Sequence, residues 1–213
     1  MDFSFTEEQE QIRAVARDVL AENPSTDELA RQGWVGLSSS ASFLEAAVVF
    51  EEVGRALYEG PYVEQEAGDD RTRLLVAYAL EAVGIGSRVV ELAVTYASQR
   101  EQFGKKIATY QAVSHPIVDA YVAVELARSL AYWAAWALDT GEAQTEVAAA
   151  AANAHATEAA VLACETAIQV HGGIGFTWEH PLHRYYKRAL WLESALGYPR
   201  EQRAEIAAYL LSS

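Results

Sequence analysis

Four long stretches of helical periodicity, at roughly 70–101, 109–140, 142–171 and 181–196, follow one another with short breaks between them. They dictate most of what this chain can become. Short connections between the first three favour antiparallel neighbours, so the spacing predicts an up-and-down bundle. A final amphipathic piece at 200–211 closes the chain. No segment shows convincing strand alternation, an internal repeat or a low-complexity tract, and the expected fold class is all-α.

Ahead of the bundle lies a smaller helical region. Thr6 followed by Gln9 has the form of a capping box. It opens a helix with Ile12, Val15, Ala16, Val19 and Leu20 on one face, expected to stop near Asn23-Pro24. STDELARQGW predicts a short helix closed by Gly33. SSSASFLEAAVVFEEVGRAL predicts a single third helix with Phe43, Ala46, Ala47, Phe50, Val53 and Leu57 along one face. YEGPYVEQEAGDD, with Gly60-Pro61 and Gly68, is expected to be a linker. The expected organisation is an N-terminal helical lobe with its linker at 1–67 and a C-terminal helical-bundle domain at 68–213.

Composition narrows the partners. Hydrophobic residues make up 51% of the 213, enough for a sizeable core. The net charge of -14 repels phosphate backbones and anionic lipid, which argues against nucleic-acid and membrane partners. One cysteine, Cys164, excludes a disulfide within the chain and suits a cytosolic setting. The start, MDFSFTEEQEQ, is polar and acidic, so no secretory leader is expected. AAAAANAHATEAAVLA is interrupted by Asn153, His155 and Glu158, reads as too polar to span a bilayer, and predicts a buried helix. A cytoplasmic location is expected.

Two features rise above the helical background. SQREQFGKKIATYQ, residues 98–111, places Arg100, Lys105 and Lys106 around Phe103-Gly104 in an otherwise acidic chain. QVHGGIGFTWEHP, residues 169–181, sets a glycine cluster at the end of one long helix and a proline at the start of the next. Taken alone, the cluster is a helix C-cap and turn. A dinucleotide-binding glycine turn is excluded because a helix, not a strand, precedes it. His171, His180 and His183 sit close in sequence, but His180 and His183, spaced i, i+3, have no third ligand of obvious type, so no metal site is expected. Cys164 reads as a small core residue. Tyr132, Trp133 and Trp136 read as bundle packing, with a subunit interface as the alternative.

YASQREQFGKKIATYQAVSH and AIQVHGGIGF, with YYKRALWLESALGYPREQR downstream, resemble the C-terminal helical domain of acyl-CoA dehydrogenases. The family pattern is an R-x-x-F-G loop, a Q-x-x-G-G-x-G-[FY] turn and a closing G-T-x-x-x-[QR]-R segment. MDFSFTEEQE and FEEVGRALYEGPY resemble the family's first helical domain. Two departures accompany the match. A family member is about twice this length, with a β-sandwich-like middle domain that holds one side of the flavin ring and part of the acyl-CoA site. Here EGPYVEQEAGDD runs directly into the C-terminal helices. The family also removes an α-proton with a glutamate while the flavin takes a hydride from the β-carbon. The positions that correspond to its two known locations are Leu196 and Leu74, and leucine cannot accept a proton. Glu193 and Glu81 lie off register and are expected to be solvated surface residues.

The resemblance implies that both motifs reach across a subunit interface to the ADP half of an FAD bound mainly by a neighbour. The implied cofactor-binding residues are Arg100, Gln102, Phe103, Ile107, Tyr110, Gln111, Gln169, Val170, Gly172 and Gly173, with no catalytic residue and no metal. The implied role is an accessory subunit of a heteromeric FAD-dependent acyl-CoA dehydrogenase, acting on a bulky or steroid-derived acyl-CoA. Its partner would be a full-length acyl-CoA dehydrogenase-like subunit, in a heterodimer or heterotetramer that meets acyl-CoA through that partner. Two alternatives stay open: a flavin-free structural or regulatory helical protein, and a self-sufficient homo-oligomeric enzyme with Glu193 as a displaced base.

Overall fold

A computed structural model describes residues 5–40 and 42–212. Residues 1–4, which contribute to the N-terminal resemblance, lie outside the described residues. Helix α1 (Glu7–Ala21) starts at the capping box formed by Thr6 and Gln9. Helix α2 (Thr26–Arg31) starts at a second one, Ser25 with Glu28, and Gly33 follows it at φ 80. The predicted third helix is two, α3 (Leu37–Ser40) and α4 (Phe43–Ala56). Ser42 causes the division: its hydroxyl accepts from Glu45 N–H and the Glu45 carboxylate accepts in return, so a fresh helix begins there. Asp139 reinforces the start across the fold, accepting from Phe43 N–H at 2.8 Å and Leu44 N–H at 3.0 Å.

The expected linker contains α5 (Tyr62–Ala67), with Tyr62, Val63, Glu66 and Ala67 buried. Tyr62 donates to the Trp34 carbonyl at 3.0 Å, and the Glu66 carboxylate accepts from Gly36 and Ser38 N–H. Glycine and proline bend the chain here without freeing it from the core.

Helices α6 (Arg71–Gln99), α7 (Gln111–Thr140), α8 (Thr145–His171) and α9 (Leu182–Ala195) form the bundle, and α10 (Pro199–Ser212) packs on α8. Helix α8 is central and lies against α6, α7, α9 and α10. By length and composition it qualifies as a membrane span, against expectation; but 67% of its apolar window is buried, so bundle packing consumes that surface. A polar bridge fastens α10: the Gln202 amide donates to Asn153 Oδ1 at 2.8 Å, and Asn153 donates to the Leu75 carbonyl at 2.9 Å. One element departs from the all-helical reading. Residues Glu101–Gln102 (β1) and Lys105–Lys106 (β2) pair as a minimal antiparallel hairpin.

The core runs without interruption from α1 and α4 into α6–α9. Helices α4 and α6 approach each other closely. A Cβ built on Gly84 would fall 1.9 Å from the Glu51 carbonyl oxygen, and one on Gly54 would fall 1.9 Å from that of Glu81. Two glycines on facing helices therefore let the backbones touch.

Candidate functional site

The hairpin between α6 and α7 turns on Phe103 (φ 52) and Gly104 (φ 79). Positive φ at both central residues is the two-residue turn that matches strand twist, normally given to Asn-Gly. A phenylalanine there is strained, and its ring is 93% exposed. The hairpin is held from below. Tyr110 donates to the Gln102 carbonyl at 3.2 Å, Lys105 lies 4.2 Å over the Tyr110 ring, and Ile107 N–H donates to the Arg100 carbonyl at 2.9 Å. Lys106 pairs with Glu101 at 2.7 Å. Ile107 and Tyr110 are partly buried, whereas Arg100, Gln102 and Gln111 are exposed. Among the described residues, the Arg100 guanidinium is the one cationic side chain with no hydrogen bond, ion pair or ring contact.

The second motif ends α8 at the same end of the bundle. Gly172 leaves the helix at φ 62, and a 3-10 turn covers Gly172–Phe176. Gly175 has an internal reason to be glycine, since a Cβ there would sit 2.9 Å from the Ile168 carbonyl oxygen. Gly173 has none. Its φ is ordinary, and a Cβ would meet nothing of this chain within 4 Å. Gln169 is exposed and Val170 half-buried, and both line a groove of about 400 Å³ with Val113, Pro116 and Leu162. That groove joins the first turns of α7 to the last turns of α8. It brings Gln169 near the segment that Gln111 begins.

An aromatic stack ties the two motifs together. The Tyr96 ring, one turn before Arg100, stacks on His171 with centroids 4.3 Å apart, and His171 meets His180 at 4.5 Å. His171 Nδ1 donates to the Ala167 carbonyl at 2.8 Å. Burial, with His171 and His183 close by, holds His180 below the ordinary imidazole range. A depressed folded-state value means that the stability this group contributes is present above the unfolded value. It is lost as pH falls through the folded one. Amide-exchange protection over residues 172–183 is therefore expected to fall as pH drops below about 6.5, and His180→Gln should flatten that dependence.

Residues 54–211 match the model of the acyl-CoA dehydrogenase C-terminal domain. The chain belongs to the acyl-CoA dehydrogenase family. The acyl-CoA dehydrogenase IpdE2 of Mycolicibacterium smegmatis is 38% identical over 139 residues, covering 65% of this chain and 42% of that protein. This chain thus spans about two fifths of the length of the curated relatives it matches. Whole-chain likeness comes from structures. A chain of the ChsE4-ChsE5 complex from Mycobacterium tuberculosis aligns over 100% of both chains with a TM-score of 0.86 at 18% identity. A variant of the Tcur3481-Tcur3483 steroid ACAD aligns over 97% and 98% with a TM-score of 0.83 at 16% identity. At those identities the likeness is one of fold.

In this acyl-CoA dehydrogenase fold, Leu74 and Leu196 are both partly buried and packed against the core. The expectation that Glu81 is a surface residue is wrong. It is 2% exposed, and Arg188 donates to its two oxygens at 2.6 and 2.9 Å. Burial pushes its carboxyl above the ordinary range, and the guanidinium opposes that push. Glu193 is only partly exposed, and burial, with Glu158 and Glu165 nearby, raises it as well. Cys164 is buried, and burial pushes its thiol well up. Tyr132 is buried and donates to Glu51 at 2.8 Å, while Trp133 and Trp136 pack partly buried against the core. Sequence reasoning missed the paired charges on α9. The signal available was His183, Arg184, Lys187 and Arg188 gathered within six residues of an acidic chain.

Proposed function

We propose that this chain is an accessory subunit of a heteromeric FAD-dependent acyl-CoA dehydrogenase. Its partner, a full-length acyl-CoA dehydrogenase-like subunit, carries the catalytic carboxylate, the acyl-CoA site and most of the FAD site. A bulky or steroid-derived acyl-CoA is the substrate class we assign to the complex, following the folds it shares. The observation that carries this reading is the unpartnered Arg100, at the same bundle end as Gly173, in a chain with leucine at both base positions.

Members of the family bind FAD, and the residues present fit its ADP half. Arg100 offers a forked cation to a phosphate, Gln102, Gln111 and Gln169 offer amide groups, and Gly172-Gly173 admits close approach along the backbone. Phe103, Ile107, Tyr110 and Val170 supply apolar surface beside them. When bound, FAD supplies hydride acceptance. This chain's residues orient the cofactor's phosphate end and shield it from water, and none of them is placed to remove a substrate proton.

Co-expression with a full-length partner, followed by the flavin absorbance of the purified complex, tests the reading. Arg100→Ala is expected to weaken FAD retention at least about tenfold, the usual loss for a charge-assisted bond. An assembled complex whose FAD affinity is unchanged by Arg100→Ala would end this reading. Yellow, active protein purified without any partner would end it too.

A further inference from the structure

Two adjoining hollows run along one face of α9 and share Leu57 and Arg184. The first, about 470 Å³, lies between α1, α4, α6 and α9, and a guanidinium from each helix lines it: Arg17, Arg55, Arg88 and Arg184. The second, about 550 Å³, has Leu57, Tyr58, Pro61 and Trp191 as apolar wall, with Lys187 and Arg188 at its edge. Both volumes lie in the range of small-molecule sites.

Charges of both signs line this cleft, with cations in excess. Glu52, 1% exposed, lines the first hollow, Glu59 and Glu64 line the second, and Glu81 is 2% exposed. The Arg17 fork rests on Glu52 at 2.9 and 2.7 Å, as the Arg188 fork rests on Glu81. Arg55 is held by Glu91 at 2.7 and 2.5 Å, while Arg184 engages Glu59 through one nitrogen at 2.6 Å. Counted with those carboxylates, the cluster is close to neutral. Four guanidiniums and one carboxylate, Glu52, line the first hollow, and each guanidinium retains N–H groups beyond those its carboxylate uses. Arg188 also lies 4.2 Å over the Trp191 ring, which fixes it at the junction with the apolar compartment.

We propose that this cleft binds a phosphate-bearing amphiphile, its phosphate among Arg17, Arg55, Arg88 and Arg184 and its apolar body against Trp191. Four guanidiniums from four helices exceed what the two oxygens of a carboxylate can use, whereas a phosphate monoester brings three terminal oxygens and nearly two charges. In a chain of charge -14, a cation-lined cleft is a local well for such an anion. No lining residue belongs to the Arg100 or Gly172-Gly173 motifs, so the site stands or falls separately from the flavin reading.

Calorimetric titration of the full chain with decyl phosphate, below its micelle-forming concentration, tests this. Saturable one-to-one binding is expected, with decanol at least about tenfold weaker. The double variant Arg88→Gln, Arg184→Gln should lose at least about tenfold in affinity. Both side chains are more than 40% exposed, so its melting curve should be unchanged. Trp191→Leu should weaken decyl phosphate while leaving inorganic phosphate as in the parent. Competition by adenosine diphosphate or by a lysophosphatidate then separates a nucleotide source from a lipid one. The proposal is overturned if no saturable binding occurs, if decanol matches decyl phosphate, if the double variant binds like the parent, if Trp191→Leu leaves decyl phosphate binding unchanged, or if neither competitor displaces the probe.

Discussion

Replacing Gly84 with alanine is expected to cost about 3 kcal/mol of folding stability, at the upper end for overpacking in a core. An alanine in mid-helix normally gains up to about 1 kcal/mol over glycine, so the sign here depends on what the methyl meets. It meets backbone: the Glu51 carbonyl oxygen, 1.9 Å away. No side chain can swing aside, so α4 and α6 must separate. Glu51 and Glu81 sit at that crossing and are both buried, the first bonded to Arg128 and Tyr132, the second to Arg188. Separation loosens both charged groups with the apolar contacts around them. Urea denaturation at 25 °C gives the measurement, and a midpoint equal to the parent's would refute the crossing. Gly173→Ala supplies the contrast. With open space around its Cβ, it should change stability by less than about 0.5 kcal/mol. On the proposed function, its effect should instead appear as weaker FAD retention in the complex with the partner subunit.

The second large effect is expected at Arg188. Arg188→Ala leaves the Glu81 carboxylate buried without its partner, a loss of about 3–5 kcal/mol at neutral pH. The pH dependence identifies the cause. Without the guanidinium, burial acts on Glu81 nearly alone and lifts its folded-state value further above the unfolded one, about 4.3. A raised value means that the associated stability is fully present below the unfolded value and is lost as pH rises through the folded one. The variant should accordingly be more stable at pH 5 than at pH 8, relative to the parent at each pH. Adding Glu81→Gln to Arg188→Ala should recover much of the loss at pH 8, because the buried group no longer needs to ionise. A variant equally destabilised at both pH values, and not helped by Glu81→Gln, would show that packing of the arginine stem dominates instead.

Helix signals local to a few residues are legible in the amino-acid order itself. Thr6 with Gln9 announces the start of α1, and the long periodic runs place α6 to α10 within a few residues of their observed ends. The motifs at Arg100 and Gly172 are legible because charge and glycine stand out against an acidic, alanine-rich background. Hidden features depend on partners distant in sequence. Glu81 looks like any helix glutamate until Arg188, 107 residues away, is folded against it. The break at Ser42 is settled in part by Asp139, 96 residues downstream from Phe43. Phe103-Gly104 carries only half of the usual signature of its turn, the glycine, since phenylalanine rarely accepts positive φ. Helix α8 hides its environment for a different reason. Surrounded by neighbours, it needs no polar face, so periodicity can show that it is a helix but not which side meets which neighbour.

The hairpin at the tip of the bundle also makes the molecule an electric dipole. Residues 100–106 carry three cations against one carboxylate, on a body whose net charge is -14. An approaching acidic surface therefore feels attraction at this end and repulsion over much of the rest, so encounters are oriented before any contact forms. The rate at which such a surface is captured should fall with added salt, because the orienting torque is screened over a Debye length, about 8 Å at physiological ionic strength. A small strained turn thus bears on how the chain would meet the proposed partner, not only on what it would touch afterwards.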